Sequence, residues 1–174
     1  MFIIANILSF IGSVFMVISG YIKETKKFLI IQSTQILFMG IGNLLLGGVT
    51  GFIVNIVSII RNLICSKGKL DTKARWIIVG INAAICLYFN NLGIVGLLPI
   101  ISTSIFTLFM DFDDDKKNKV LVFGTVIIWL VYDWCIKNYV SFTFDALTII
   151  SSSIALIKMR IPMTEKTIEK SSGE

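Results

Sequence analysis

The chain has 174 residues, of which 55% are hydrophobic, and its formal net charge at pH 7 is +5. A mean hydropathy of +0.85 is too high for a soluble domain of this length, which leaves an integral membrane protein. In such a protein the positions of the basic residues matter more than their sum, so the charge does not indicate nucleic-acid binding. The absence of histidine excludes histidine-based acid–base catalysis and histidine metal sites.

Seven apolar segments are candidates for membrane helices, which need about 20 residues to cross a bilayer. They occupy residues 2–22, 28–46, 49–64, 76–89, 92–110, 119–136 and 140–157. The fourth has only about 14 residues, short enough for a re-entrant or buried segment. From Arg160 onward the chain is polar, and we predict a disordered cytoplasmic tail there.

The basic residues decide whether the fourth segment crosses the membrane. If it does, fifteen of the sixteen Lys and Arg residues fall on one side, and only Lys137 lies opposite. If it does not, nine of the basic residues fall on one side of the membrane and seven on the other. The positive-inside rule favours the first arrangement. We therefore predict seven transmembrane helices with the N-terminus outside and the C-terminus in the cytoplasm.

Two hairpins in the chain share one polar pattern. Asp133 and Asp145 lie symmetrically about the turn between the predicted sixth and seventh helices, and Asn43 and Asn55 do the same 90 residues earlier. Shifting the sequence by this distance superposes the first three helices on the last three without a gap. Three helices end on the opposite side from where they began, so a linker helix is needed to give both copies one orientation.

These features predict an all-α, polytopic membrane protein built from two parallel three-helix repeats joined by a linker helix. The first repeat occupies residues 1–66, and the second occupies residues 92–159. Residues 67–91 form a loop and the linker helix, and residues 160–174 form the polar tail.

Three short motifs resemble the YgjV family of small bacterial inner-membrane proteins. They are GLLP at residues 96–99, SIIR at residues 58–61, and WLVYD at residues 129–133 followed by Asp145. The layout of three, one and three helices also resembles the SWEET sugar carriers and the PnuC-type vitamin transporters. The resemblance covers most of residues 2–160 and implies a protein of the bacterial inner membrane. A SWEET-like arrangement further implies that the third helix lies between the first two.

Polar side chains inside the predicted spans are the candidate solute contacts, because such groups are expensive in a bilayer and mark functional sites. The candidate substrate-binding residues are Asn43, Asn55, Ser58, Trp129, Tyr132, Asp133, Asp145 and Thr148. The same polar stripes include Asn6, Ser9, Ser13, Gln32, Gln35, Met39, Ser102 and Thr103. Pro99 would permit a hinge in the fifth helix. Ordinary packing between helices is the alternative role for each polar residue.

Two charged features are interpreted as structural. Arg61, near the inner end of the third helix, is expected to snorkel to lipid phosphates, with a cytoplasmic gate or an anionic ligand contact as the alternatives. The acidic run at residues 111–115 lacks the glycine and the final glutamate of a calcium loop, so we interpret it as a solvated turn. We expect no metal and no cofactor.

The sequence favours a small carrier or facilitator for a polar organic solute that is sugar-, nucleoside- or vitamin-like. Its expected partners are the lipid bilayer and the solute. A second copy of the chain, in a homo-oligomer, is a further possible partner. A non-transporting membrane scaffold or assembly factor is the alternative. We do not expect an enzyme, because no nucleophile–base pair or metal-ligand set is evident, and the missing P-loop argues against direct use of ATP.

The aspartate pair suggests how transport would be coupled. If Asp133 and Asp145 face each other, we hypothesise that they share one proton, and that its release accompanies solute binding or gating. Two separate, water-exposed carboxylates near the outer lip of the membrane are the alternative.

Overall fold

The computed structural model describes residues 1–19, 22, 24–68, 70–111 and 114–171. Within these ranges the chain forms seven α-helices and no strand. The helices are α1 (Phe2–Ser19), α2 (Thr25–Leu45), α3 (Val49–Lys67), α4 (Thr72–Tyr88), α5 (Ile94–Phe109), α6 (Asp115–Cys135) and α7 (Tyr139–Ser171). The predicted all-helical, polytopic fold is confirmed.

The end of α7 differs from the prediction. The helix continues to Ser171, through residues for which we predicted a disordered tail, and residues 172–174 lie outside the described ranges. This segment is polar, but it is rich in Glu, Lys, Met and Ile, which have good to moderate helix propensity. Polarity alone therefore did not decide its backbone conformation.

The surface and the interior are distributed as in a membrane protein. Within the described residues, four helices are long and apolar enough to cross a bilayer, namely α1, residues 26–45 of α2, α3, and residues 117–135 of α6. Large apolar side chains such as those of Ile3, Ile77 and Ile94 face outward. Among the described residues, eighteen buried side chains are polar or charged, and ten, with Pro99 included, are apolar. A soluble domain shows the reverse, whereas packing through small and polar residues is typical of helices in lipid.

Six of the helices form a closed ring. Helix α2 lies between α1 and α3, and α6 lies between α5 and α7. The ring closes because α3 packs on α5 and α1 packs on α7. Helix α4 contacts α3 and α5 from outside the ring. The SWEET-like order, with the third helix between the first two, is therefore wrong.

Close approach of small residues explains why α1 packs on α2. A Cβ atom added to Gly12 would lie 2.7 Å from Met39 Cγ, and one added to Gly42 would lie 2.7 Å from Ser9 Oγ. Glycine and serine thus bring the two backbones together, as in many membrane helix pairs. Ser9 is used for this contact and does not reach the interior of the ring.

The helix boundaries repeat with an offset of 90 residues, which supports the predicted duplication. The boundaries Ser19, Thr25, Leu45 and Val49 correspond in order to Phe109, Asp115, Cys135 and Tyr139. Helix α2 and its counterpart α6 therefore both begin and end in register.

The turns at the ends of α2 and α6 also have the same geometry. The Gly48 N–H donates to the Asn43 carbonyl at 2.8 Å, and the Asn138 N–H donates to the Asp133 carbonyl at 2.9 Å. The residue before each donor has a positive φ, 86° at Gly47 and 62° at Lys137. Glycine suits this left-handed conformation and lysine adopts it at a cost. The two turns are structural copies despite their different sequences.

Helix α4 extends from the end of α5 to the turn between α2 and α3. The first turns of α4 lie beside the end of α5, where Arg75 Nη1 donates to the Met110 carbonyl at 2.8 Å. Beyond its other end, Asn91 Nδ2 donates to the carbonyl of Gly47, in the turn between α2 and α3, at 2.8 Å. Its seventeen residues give a length of about 25 Å. Asp71 caps α4 by accepting from the Ala74 N–H, so the helix begins four residues earlier than predicted.

Candidate functional site

A cavity of about 310 Å³ lies inside the six-helix ring. Residues of α1, α2 and α3 and of α5, α6 and α7 form its wall, so both triplets of helices contribute. Along α2 the cavity extends from Phe28 to Asn43, which corresponds to about 22 Å at the rise of an α-helix. It therefore covers most of the height of the ring.

Seven of the eight predicted contacts lie in the cavity wall: Asn43, Asn55, Ser58, Trp129, Asp133, Asp145 and Thr148. Gln32, Gln35, Met39, Ser102 and Thr103 from the predicted polar stripes lie there as well. The helix periodicity placed these residues on common faces, and the ring turns those faces inward.

Tyr132 is the predicted contact that does not line the cavity. Its side chain is fully buried between the triplets, and its hydroxyl oxygen accepts a hydrogen bond from the Gly51 N–H at 3.2 Å. The ring lies against Gly48 and Gly51, where any side chain would collide with it. Tyr132 therefore connects α6 to α3 as a packing residue.

Besides Ser9, three other predicted positions lie outside the cavity wall. Asn6 Nδ2 donates to the Phe2 carbonyl, and its Oδ1 accepts from the Val140 N–H of α7 at 3.4 Å. Ser13 Oγ donates to the Ser9 carbonyl within α1. Pro99 is buried in α5, and this helix is continuous across it. A hinge at Pro99 stays a prediction.

The carboxyl groups of Asp133 and Asp145 face each other across α6 and α7. The two residues are only 3% and 6% exposed, so the alternative of separate, water-exposed carboxylates is wrong. Asp133 Oδ1 and Asp145 Oδ2 find no donor among the described residues. An ionised carboxylate can only accept, so these two groups can bond each other only when one of them carries a proton.

A second polar contact joins the two triplets near the aspartate pair. Asn138 Nδ2 donates to Asn43 Oδ1 at 3.0 Å, and Asn138 Oδ1 accepts from the Ser141 N–H at 3.3 Å. Both asparagines are buried. This contact links the α6–α7 turn to the end of α2 and lies at one end of the cavity.

Arg61 dominates the opposite end of the cavity. It is 3% exposed, and its Nη1 donates to Thr107 Oγ1 at 3.1 Å. Its Nε and Nη2 donate to Asn62 Oδ1 at 3.2 Å and 2.9 Å, and Asn62 Nδ2 donates to Gln32 Oε1 at 2.9 Å. The guanidinium carbon lies 4.9 Å from the centre of the Phe106 ring. The expectation that Arg61 snorkels to lipid is wrong, because these contacts hold the guanidinium inside the ring.

The acidic run between α5 and α6 serves local structure where it is described. The carboxylate of Asp114 accepts from the Lys117 N–H at the start of α6, and Lys117 Nζ lies 3.3 Å from Asp111 Oδ2. Residues 112 and 113 of the predicted turn lie outside the described ranges. In the part of the chain that the structure describes, no three His, Cys, Asp or Glu side chains cluster as metal ligands would.

Sequence reasoning favoured lipid contact for Arg61, with a cytoplasmic gate or an anionic ligand contact as alternatives, and it missed Asn138 as a link between the triplets. The signal for Arg61 was present, since a charge within an apolar span is usually functional. Asn138 looked like an ordinary residue of a polar turn. Nothing in one sequence shows that its side chain reaches Asn43, 95 positions away.

Comparisons with known proteins place the chain in a family. No curated protein and no solved structure matches it. A family model named Imp-YgjV and described as a bacterial inner membrane protein matches residues 3–161, which confirms the resemblance of the short motifs. Because this match covers well over half of the sequence, the chain belongs to the Imp-YgjV family of bacterial inner membrane proteins.

Proposed function

We propose that the protein is a carrier or facilitator for a small polar organic solute. The observation that carries this proposal is the cavity, whose mostly apolar wall is built by both triplets and includes polar side chains from each of them. A volume of about 310 Å³ is at the lower end of the range for small-molecule sites, and it suits a solute with one or two rings. Sugar-, nucleoside- and vitamin-like compounds all meet this limit.

Unsatisfied polar atoms in the wall are available to a ligand. Asp133 Oδ1, Asp145 Oδ2 and Ser141 Oγ are buried and lack a hydrogen-bond partner among the described residues. An unpaired buried group is costly, and Ser9 Oγ, Thr50 Oγ1 and Asn82 Nδ2 carry the same cost outside the wall. A polar solute, or water in its absence, would complete the contacts in the wall.

The way the triplets meet suits relative motion. Helices within a triplet pack on one another more extensively than they pack on the other triplet. The two seams between triplets, α3 on α5 and α1 on α7, are counterparts in the repeat. We infer that the halves rock as rigid bodies about the cavity, with the N-terminus outside and the C-terminus in the cytoplasm.

The aspartate pair supports proton coupling. Two facing, buried carboxyl groups can share one proton, and its release would change the charge at one end of the cavity. We propose that a solute group competes for the bond between the two carboxyl groups, so that proton release accompanies binding or the change of access.

Labelling of a single cysteine from either side of the membrane tests the proposal without knowledge of the solute. Thr148 lies in the cavity wall, and its neighbour Leu147 is 54% exposed on the outer surface of the ring. Cys65, Cys86 and Cys135 are first replaced by alanine to provide a thiol-free background. A membrane-impermeant maleimide should label Thr148→Cys in right-side-out and in inverted membrane vesicles.

The matched control is Leu147→Cys, which should react from neither side because lipid covers it. A carrier or facilitator predicts labelling of Thr148→Cys from both sides. A scaffold predicts that the thiol reacts from neither side, and that result would contradict the proposed function. Labelling from one side only would also contradict it, because the cavity would then be a one-sided cleft.

A further inference from the structure

We propose that Arg61 binds an oxyanion group of the solute, a carboxylate or a phosphate, so that the protein takes organic anions. This inference rests on the proposed function and specifies its substrate class. In this proposal Arg61 binds the anion at one end of the cavity, and the aspartate pair binds the proton at the other end.

The first argument is the missing counter-charge. The Arg61 guanidinium is charged at any physiological pH, yet no Asp or Glu among the described residues forms an ion pair with it. Its partners are the neutral side chains of Asn62 and Thr107 and the face of the Phe106 ring. Buried charges in proteins are normally paired, so a buried and unpaired arginine in a cavity wall needs an anion from elsewhere.

The second argument is the supply of free donors. Arginine has five N–H groups in a planar fork, and the contacts to Asn62 and Thr107 use three of them. Two N–H groups remain for a ligand. The planar fork matches the geometry of carboxylate and phosphate oxygens, and the existing contacts hold it in place before a ligand arrives.

The third argument is the distance to the acidic end. Arg61 lies six residues along α3 from Asn55, the counterpart of Asp145, which separates them by about 9 Å along the helix axis. The aspartates therefore do not neutralise the guanidinium by contact. An organic anion with a ring would fit this spacing, with its charged group at Arg61 and its uncharged polar groups towards Asn55 and Ser58.

Binding of matched probes to the purified full chain tests the assignment. Benzoate and benzamide have nearly the same shape and differ in charge, and phenyl phosphate replaces the carboxylate with a phosphate. In nanodiscs of phosphatidylcholine, benzoate or phenyl phosphate should raise the unfolding temperature, with an apparent affinity at least about tenfold above that of benzamide. Equal effects of benzoate and benzamide would overturn the proposal.

Variants show whether the effect depends on the guanidinium. Arg61→Gln should abolish the preference for benzoate over benzamide, and Arg61→Lys should restore part of it, since lysine keeps the charge but not the fork. Lys67→Gln is the matched control, because it removes one positive charge from an exposed position of the same helix. If Arg61→Gln keeps the preference for benzoate as fully as Lys67→Gln does, Arg61 is a packing residue.

A lipid headgroup could supply the same chemistry, and a second arm separates the two sources. Nanodiscs that contain phosphatidylglycerol should leave the benzoate effect in place. If Arg61-dependent stabilisation comes from phosphatidylglycerol alone, the site holds a lipid and the solute assignment fails. Labelling of Thr148→Cys from both sides combined with no anion binding would overturn only the present inference. Anion binding without labelling of Thr148→Cys from both sides would overturn only the proposal that the protein is a carrier.

Discussion

The two triplets share one backbone plan but differ in the chemistry of their polar pairs. In the first triplet Asn43 accepts from Asn138, which is possible because amides both donate and accept. In the second triplet Asp133 and Asp145 face each other, and an oxygen of each lacks a hydrogen-bond donor among the described residues. The same fold thus holds a satisfied amide on one side and an incompletely satisfied acid pair on the other. The two repeated triplets together form the cavity, and a few residues that differ between them determine which polar groups line it.

A second difference concerns the contact between the triplets. Tyr132 of α6 fills the space beside the first turn because Gly48 and Gly51 leave room for it. The counterpart of Tyr132 is Gly42, which packs against α1 instead. A large residue in one half thus faces small residues in the other. Substitutions that copy a residue from one triplet to its counterpart therefore test which differences matter.

The largest loss of stability is expected for Gly51→Ser, which copies Ser141 into the first triplet. The new side chain would overlap the Tyr132 ring, and Tyr132 is fully buried and has no room to move. Overpacking of this kind costs about 1–3 kcal/mol, and we expect the upper end. Thermal unfolding in detergent measures it. Gly80→Ser on α4, where a Cβ meets open space, should cost far less. Equal losses in the two variants would argue against the Tyr132 contact.

The next largest effect is expected for Asp133→Asn and Asp145→Asn, which copy Asn43 and Asn55. At high pH the wild type should lose the proton between its two carboxyl groups, which leaves two buried charges facing each other. Its unfolding free energy should then fall by about 1–3 kcal/mol relative to neutral pH. Either single variant should lose this dependence on pH.

The double variant Asp133→Asn/Asp145→Asn should behave like the single variants, because the pair acts as one unit. The pH dependence of the unfolding temperature is the measurement. If the single variants keep the wild-type pH profile, the two aspartates do not share a proton.

A smaller effect is expected for Asn138→Gly, which copies Gly48. It removes the hydrogen bond to Asn43 and leaves that amide buried without its partner. We expect a loss of about 1–2 kcal/mol in the unfolding free energy. Asn43→Ala added to Asn138→Gly should cost little more, because the bond has already been lost. Fully additive losses would show that the two side chains do not interact.

The smallest change in stability is expected for Lys137→Gly, and it is the one variant expected to be more stable than the wild type. Lys137 has a φ of 62° at the position where the first triplet has Gly47. Relief of this conformation should stabilise the protein by about 0.5–1 kcal/mol. Gly47→Lys should lose a similar amount, since the two turns are copies. A loss in both variants would mean that the Lys137 side chain makes a contact of its own.

The parts of the fold that could be predicted follow from periodicity and chain arithmetic. The helix pattern and the offset of 90 residues predicted the duplicated hairpins, and symmetric spacing about the turn placed Asp133 and Asp145 at one depth. The rotation of each helix about its axis could not be predicted in the same way. It turns Arg61 inward and directs Tyr132 to α3, whereas we expected the first at the lipid and the second in the cavity. These rotations depend on contacts with distant residues such as Thr107 and Gly51.

The order of the helices was the other failure. The expectation that α3 lies between α1 and α2 came from a resemblance to other carriers, not from this sequence. Here Gly12 and Gly42 let α2 approach α1 closely, and α2 therefore occupies the middle position. The sequence shows that Gly12 and Gly42 are small, but it does not show which residues of the facing helix they contact.

The central claim is that two parallel repeats enclose one cavity, and the side on which each turn lies tests it most directly. Single cysteines at Gly47 and Lys137 mark the two counterpart turns, and cysteines at Lys27 and Lys117 mark the opposite ends of α2 and α6. In intact cells an impermeant maleimide should label the first two positions and spare the last two, and inverted vesicles should give the reverse. Labelling of Gly47→Cys and Lys137→Cys from opposite sides would contradict the account, because α4 would then not cross the membrane and the repeats would not be parallel.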